Sequence, residues 1–344
     1  TTSIKKLTIA DKPVIGFLQG NGEPDLNASA QVLKELSVLY DVVPHTITDT
    51  TEIPTTFKAL AVINPTDTFP PSHFTQIDNY MKSGGAVYLA YAHVEENINS
   101  RMLSTRPNIG IKDWLNTKGI ELQDNFVVDV NCGAVTVPQQ LGQFVINASV
   151  NLPLIPLISN FGDHPITQGL DQIVLPLTAP IEVKADASKL KFTKLLLSSE
   201  QSGLVPAPAL IDLEKEWNEQ DFQNPNQALA VAIEESLSEE KTSKMVVVSH
   251  GSFAINQGGG QQQINPDNAN FAVNAIDWLA DDTGLIELRT KGVTARPLEP
   301  VEDTSRELIR YANVILPILL VLFLAFYRKR KNAAKRQEWM EGKY

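Results

Sequence analysis

Three short polar segments stand where apolar runs end. They are Gly20-Asn21-Gly22-Glu23 after PVIGFL, His93-Val94-Glu95-Glu96 after AVYLAY, and Ser249-His250-Gly251 after KMVVVS. Carboxylates and imidazoles can hold a polar ligand, a metal or a proton. In open parallel sheets, ligands collect at the carboxyl ends of the strands. If these three strands are neighbours, Glu23, His93 and His250 converge in one crevice. The candidate ligand-binding set is therefore Asn21, Glu23, His93, Glu95, Ser249 and His250. A plainer reading stands beside it: strand ends need polar turns, and histidines there are often only hydrogen-bonded.

Nucleophilic chemistry has less to recommend it. A strained strand-to-helix elbow needs small residues around its Ser or Cys, as in G-x-S-x-G. The segment after AVYLAY offers no such residue, and Ser249 follows Val248 with no obvious helix behind it. Cys132, in DVNCG, opens into β-rich sequence and reads as a small packed thiol. Gly16, Gly20 and Gly22 have the wrong spacing for a dinucleotide fingerprint, and the Gly258–Gly260 loop lacks the Lys-Ser/Thr of a phosphate-binding loop. The five histidines are far apart, without the spacing of a helical metal site. No catalytic residue, metal ligand or cofactor is expected.

The elements that must position these residues alternate. Pro13–Leu18, Asp41–Ile47, Leu60–Ile63, Ala86–Tyr91 and Phe126–Val130 read as strands. Asp25–Tyr40, Ser72–Ser83 (with a serine N-cap) and Ile109–Lys118 read as helices. This order predicts an α/β fold with a doubly wound, mostly parallel sheet. Residues 133–221 are rich in proline and β-branched side chains and read as an excursion of short strands and loops. Lys194–Ser198 and Leu229–Ile233 fit strands of either the sheet or this lobe. Lys244–Ser249 is a buried strand, Ile255–Asp267 a polar loop, and Asn268–Ala280 an amphipathic helix with Phe271, Ala275, Trp278 and Leu279 inward.

The 344 residues are 43% hydrophobic and 20% charged, which excludes a disordered chain, a collagen and a coiled coil. A single cysteine excludes an intrachain disulfide. Residues 1–327 carry 22 Lys/Arg against 38 Asp/Glu, a net charge of −16. So acidic a body repels phosphate backbones and disfavours nucleic acid. The last 17 residues carry +5. Leu308–Tyr327, including Tyr311 and Pro317, makes 20 residues of apolar helix, about 30 Å, which is one hydrocarbon thickness. Arg328, Lys329, Arg330 and Lys331 follow directly. The positive-inside rule places this tail in the cytoplasm of a bacterium and the acidic body in the periplasm, across the inner membrane. The expected organisation is an extracytoplasmic domain over 1–288, a tether over 289–306, a transmembrane helix over 307–328 and a basic tail over 329–344. An exported body needs an export signal and TTSIKKLTIADK has no apolar region, so a leading membrane segment is expected before Thr1.

Several stretches, taken in order, carry a resemblance. They are GNGE-P after the first strand, Asn-Pro-Thr after the third, GIELQDNFVVDVNCG, FGDHPITQGL, NANFAVNAIDWLA, and the terminal apolar helix with RKRK. Over nearly its whole length the chain resembles the GldG family, auxiliary, substrate-binding-like subunits of gliding-motility ABC transporters. The resemblance implies a domain similar to class I glutamine amidotransferases without the catalytic cysteine. It also implies a non-enzymatic accessory role linked to gliding or cell-surface processes. The partners it implies are an ABC permease and, through it, a cytoplasmic ATPase. Membrane lipid is a further partner, with room for a second copy of the chain. Two rival readings remain open: an extracytoplasmic solute- or glycan-binding receptor, and an amidotransferase-like hydrolase.

Overall fold

The computed structural model describes residues 12–97, 102–141, 144–184, 190–238, 241–256, 263–281, 303–340 and 342. Two compact units contain them, one up to Thr294 and one from Ala295 onward.

The first unit begins with β1 (Val14–Gln19), then α1 (Ala30–Leu36), entered through a 3-10 turn over Leu26–Ser29. The helix expected over 25–40 is shorter because Ser29 and Ser37 bracket its regular part. Then come β2 (Asp41–Thr46), β3 (Phe57–Ile63), α2 (Pro71–Lys82) and β4 (Ala86–Ala90). Helix α2 has no serine cap. Pro70 holds the N-cap position, and the Ser72 hydroxyl bonds Asp49 instead. Two short strands, β5 (Val94–Asn97) and β6 (Met102–Thr105), precede α3 (Ile111–Thr117), β7 (Ile120–Leu122) and β8 (Asn125–Asp129).

The excursion contains β9 (Cys132–Leu141), β10 (Phe144–Ile158), β11 (Asn160–Phe161), β12 (Ile173–Val174), β13 (Ile181–Val183), β14 (Leu190–Leu197), β15 (Ser202–Pro206) and β16 (Ala209–Leu210). It is not built only of short strands, since β10 runs 15 residues. Strands β17 (Ala228–Ser238) and β18 (Lys241–Val248) and helix α4 (Pro266–Ala280) complete the unit.

Eight strands form one sheet in the order β11-β14-β17-β18-β4-β3-β1-β2. Its pairings β1–β2, β1–β3, β3–β4 and β4–β18 are parallel. Those of β18–β17, β17–β14 and β14–β11 are antiparallel. The sheet is thus mixed, with four parallel pairings on the β2 side and three antiparallel ones on the β11 side. The reason lies in the connections: only two residues separate β17 from β18, and strands so close in sequence can pair only antiparallel, since a parallel pair needs a crossover.

Side chains alternate across each strand and feed two cores. Ile15, Phe17, Ala61, Tyr88, Val246 and Val248 pack with Val32 and Leu36 of α1 and with Phe271, Ala275 and Trp278 of α4. Leu60, Val62, Val87, Leu89 and Val247 pack on the other face with Ile77 and Tyr80 of α2 and with Trp114 and Leu115 of α3. Burial on both faces explains why these strands read as continuous apolar runs. Helix α4, expected to be amphipathic, is buried nearly all round.

The second unit contains α5 (Asp303–Met340), a continuous helix of 38 residues with Pro317 inside it. Within Arg310–Ala333 an 18-residue stretch has a mean hydropathy of 1.9, and the segment is long and apolar enough to cross a membrane. The helix takes in the end of the expected tether and runs on through the basic segment, including Arg328–Lys331.

Candidate functional site

Strand order reverses at β1, whose neighbours β2 and β3 lie on opposite sides, and ligands favour such a point. Here protein fills it. The backbone N–H groups of Thr66 and Asp67, beyond β3, both donate to the Asn21 carbonyl at 3.1 and 2.9 Å. The Asn21 side chain reaches His73 Nδ1 at 3.2 Å and the Thr68 carbonyl at 3.3 Å, and its backbone N–H donates to Glu23 Oε2 at 2.7 Å. Gly22 has φ +80°, and a Cβ there would stand 2.1 Å from Thr66 Oγ1. Burial raises the Glu23 carboxyl above its ordinary range, against the bond from Asn21, and its Oε1 is sealed without a partner.

The open space lies one step along the sheet. A cleft of about 740 Å³ sits at the carboxyl ends of β3, β4 and β18, within the usual range for ligand sites. Each strand supplies one wall residue just past its end: Asn64, Ala92 and His250. Val94, Glu95 and Arg106 from the β5–β6 region, residues around β12 (Val174, Pro176, Leu177) and the segment leading into α4 supply the rest.

Arg106 dominates the polar side. Its Nη1 donates to Asn64 Oδ1 at 3.1 Å and to the Ala92 carbonyl at 3.3 Å, while its Nε lies 3.4 Å from Glu95 Oε2. The arginine side chain is only 16% exposed, so its charge is held by fixed partners rather than by water. Asn64 has φ +46°, which turns its amide back over the strand end. A Cβ at Gly251 would lie 2.2 Å from Asn64 Oδ1, so only glycine leaves room for that amide. Burial pushes the His250 imidazole down to about 4, against a bond to the Pro176 carbonyl. The ring is therefore neutral at physiological pH, and its Nδ1 is sealed from water without a partner. Asn268 braces the floor: its amide accepts from Val174 N and donates to the carbonyls of Val174 and Phe253, each at 2.9 Å.

Of the six residues expected in one crevice, Glu95 and His250 line this cleft. Glu23 and His93 do not join His250 there: β3 stands between β1 and β4 in the sheet, and His93 is bonded elsewhere. Asn21 and Glu23 belong to the filled switch point. His93 turns toward α3, where its Nε2 lies 2.5 Å from Asp124 Oδ1 and 3.1 Å from Lys112 Nζ. Burial lowers the His93 imidazole, opposed by Asp124, whose own carboxyl is lowered by Lys112 first and then His93. Ser249 is buried, its hydroxyl 2.9 Å from both the Leu229 carbonyl and Thr178 Oγ1. Cys132 is half-buried, with its thiol pushed up by burial. Asn64, Arg106 and Asn268 went unnoticed as site residues. Asn64 carried one signal, the Asn-Pro that ends a strand; Arg106 carried none. The Gly258–Gly260 loop lies outside the described residues. No group of three or more His, Cys, Asp or Glu side chains among the described residues is arranged to hold a metal.

Known proteins match most of the first unit. The chain is 21% identical to an uncharacterized protein of Borreliella burgdorferi over 74% of its length, and spans about half (53%) of that relative. The N-terminal domain of mmIFT52 is similar in fold, with a TM-score of 0.51 at 15% identity, over 78% of this chain and 98% of that one. A ThuA-like protein from Parabacteroides merdae covers 78% of this chain and 90% of its own at 10% identity, but its TM-score of 0.40 carries no argument. A family model described as an ABC-type uncharacterized transport system matches residues 12–275, from the start of β1 into α4. The chain belongs to this family of ABC transport-system auxiliary components.

Proposed function

We propose that the chain is a non-enzymatic, membrane-anchored accessory subunit of an ABC transporter. In this reading α5 crosses the inner membrane, the basic segment from Arg328 lies in the cytoplasm, and the acidic α/β unit works outside. Helix α5 packs on a permease, and the permease joins the subunit to a cytoplasmic ATPase. The α/β unit recruits or couples an extracytoplasmic partner, in a process such as gliding or cell-surface assembly, as in the GldG subunits the chain resembles. The family match across residues 12–275 carries the reading. The apolar run of α5 supports the anchoring, and the excess of Lys and Arg behind it supports the orientation.

The experiment is an exchange of anchors. Residues 303–340 are replaced by an unrelated single-span helix of equal length and tail charge, and both proteins are isolated from native membranes. The reading expects both to be membrane-bound but only the native helix to bring a permease. Equal recovery of the permease with either helix would move the contact to the α/β unit, and recovery with neither would end the accessory reading.

A second reading, an extracytoplasmic ligand receptor, rests on the cleft. Arg106 fixed by Glu95, Asn64 and Ala92 leaves no net charge there, which suits an uncharged solute or glycan rather than an ion. A hydrolase reading has less support, because the hydroxyl of Ser249 is spent on structural hydrogen bonds outside the cleft.

A further inference from the structure

Between Val130 and Gly162 the chain runs 33 residues without one Asp, Glu, Lys, Arg or His, in a protein that is 20% charged. Much of this stretch is the hairpin β9–β10, paired from Ala134↔Asn151 to Leu141↔Phe144 without a bulge. Thr136, Asn147 and Ser149 are exposed. A long hairpin edge offers unpaired N–H and C=O groups, and proteins ordinarily guard such edges with charges or proline.

The two edges of this arm are guarded unequally. Pro138 lies opposite Asn147. Proline has no N–H and sits in sheets where its nitrogen faces away from the partner strand. At that rung the backbone groups of both residues therefore point outward, because antiparallel rungs alternate between inward and outward. The same parity turns the backbone groups of Val145, Ser149 and Asn151 outward on β10. The free edge of β9 is interrupted by Pro138, whereas β10 has no proline from Phe144 to Leu152. Among the described residues, only β9 pairs with 144–151.

We propose that this open edge of β10 pairs with the same edge of a second copy, antiparallel about a twofold axis, joining two hairpins into one four-stranded ribbon. Charge selects the occupant. Residues 1–327 of each copy carry −16, so copies repel wherever charged surfaces meet, and the arm is a long stretch free of that penalty. An isologous contact needs a surface that matches itself, and an uncharged edge bearing Asn147, Ser149 and Asn151 does so by backbone pairing. An edge of eight residues buries a few hundred Å² at most, well under the ~1,000 Å² of a free-standing interface. The pair therefore forms where copies are already held close, as two anchored chains in one membrane are. The inference rests on the proposed anchoring for that concentration, and on neither the cleft nor the permease.

The test uses the full chain in native membranes, with Cys132→Ser removing the native thiol. Single cysteines at Asn147, Ser149 and Asn151 are oxidised in turn, after fractionation has established that the chain is membrane-bound. The expected result is a covalent homodimer from at least one position. Adding Asn147→Pro should reduce it at least tenfold, since that N–H serves the outer edge and not the ladder to β9; Pro138→Ala should not reduce it. Ser149→Lys, read with the cysteine at Asn151, sets like charges across the axis and decides the matter if Asn147→Pro unfolds the arm. Absence of homodimer at all three positions, indifference to both variants, or cross-linking to a different protein would overturn the proposal. A chain found wholly in the soluble fraction would instead fail the anchoring, and would remove the ground for pairing with it.

Discussion

Arg106 is the residue on which the cleft turns. Three fixed acceptors surround it, and replacing it strands Asn64 Oδ1 and the Ala92 carbonyl and frees Glu95. Arg106→Ala should cost about 1–3 kcal/mol of stability through those orphaned groups, measurable by denaturant unfolding. Arg106→Lys should recover little, because an ammonium cannot reach three acceptors in a plane. The buried histidines set a pH dependence. His250 and His164 both fall to about 4, below the ~6.5 of an unfolded histidine. Their native pKa is depressed, so the unfolded chain takes up protons that the native one refuses. Stability should therefore decline as pH falls from 6.5 toward 4, by up to roughly 1.4 kcal/mol per pH unit for each proton, and level off below. Glu23 works the other way: its raised pKa stabilises below the ordinary carboxyl value and is lost as pH rises. A thermal midpoint flat from pH 7 to 4.5 would contradict the assignment, and His250→Phe should flatten part of the slope. Of this cluster only Glu95 and His250 were legible in the sequence, as polar residues just past apolar runs. Arg106, Asn64 and His250 lie on three distant segments, and only the parallel register of β3, β4 and β18 brings their ends together.

At the scale of elements, apolar runs and glycine stops revealed the central strands β1, β3, β4 and β18, because a strand buried on both faces has nothing polar in it. Pairing direction was not revealed, since the same run can serve either neighbour; β14 and β17 therefore read as belonging to either sheet or lobe. Helix α4 shows how an element positions the site. Its Asn265 cap accepts from Asp267 N at 2.8 Å, while Asp267 Oδ2 accepts from the backbones of Asp171 and Gln172 at 2.8 and 3.0 Å. Asn265→Ala should cost about 1 kcal/mol as an ordinary lost cap. Asp267→Ala should cost more and raise hydrogen exchange around Asp171–Val174, which a cap alone would leave protected. Gly22→Ala should also destabilise, since both its φ of +80° and the contact with Thr66 oppose a side chain.

For the molecule as a whole, the apolar helix and the charge reversal behind it were plain in the sequence, because membrane crossing is a matter of length and composition. The length of α5 was less plain: charge marks where a membrane ends, not where a helix does, and the helix continues to Met340. Assembly is read out by isolating the full chain from native membranes in mild detergent, with mass spectrometry of what accompanies it. An ABC permease and its ATPase should accompany the chain in fixed ratio. Recovery of the chain from membranes without either would rule out the accessory role.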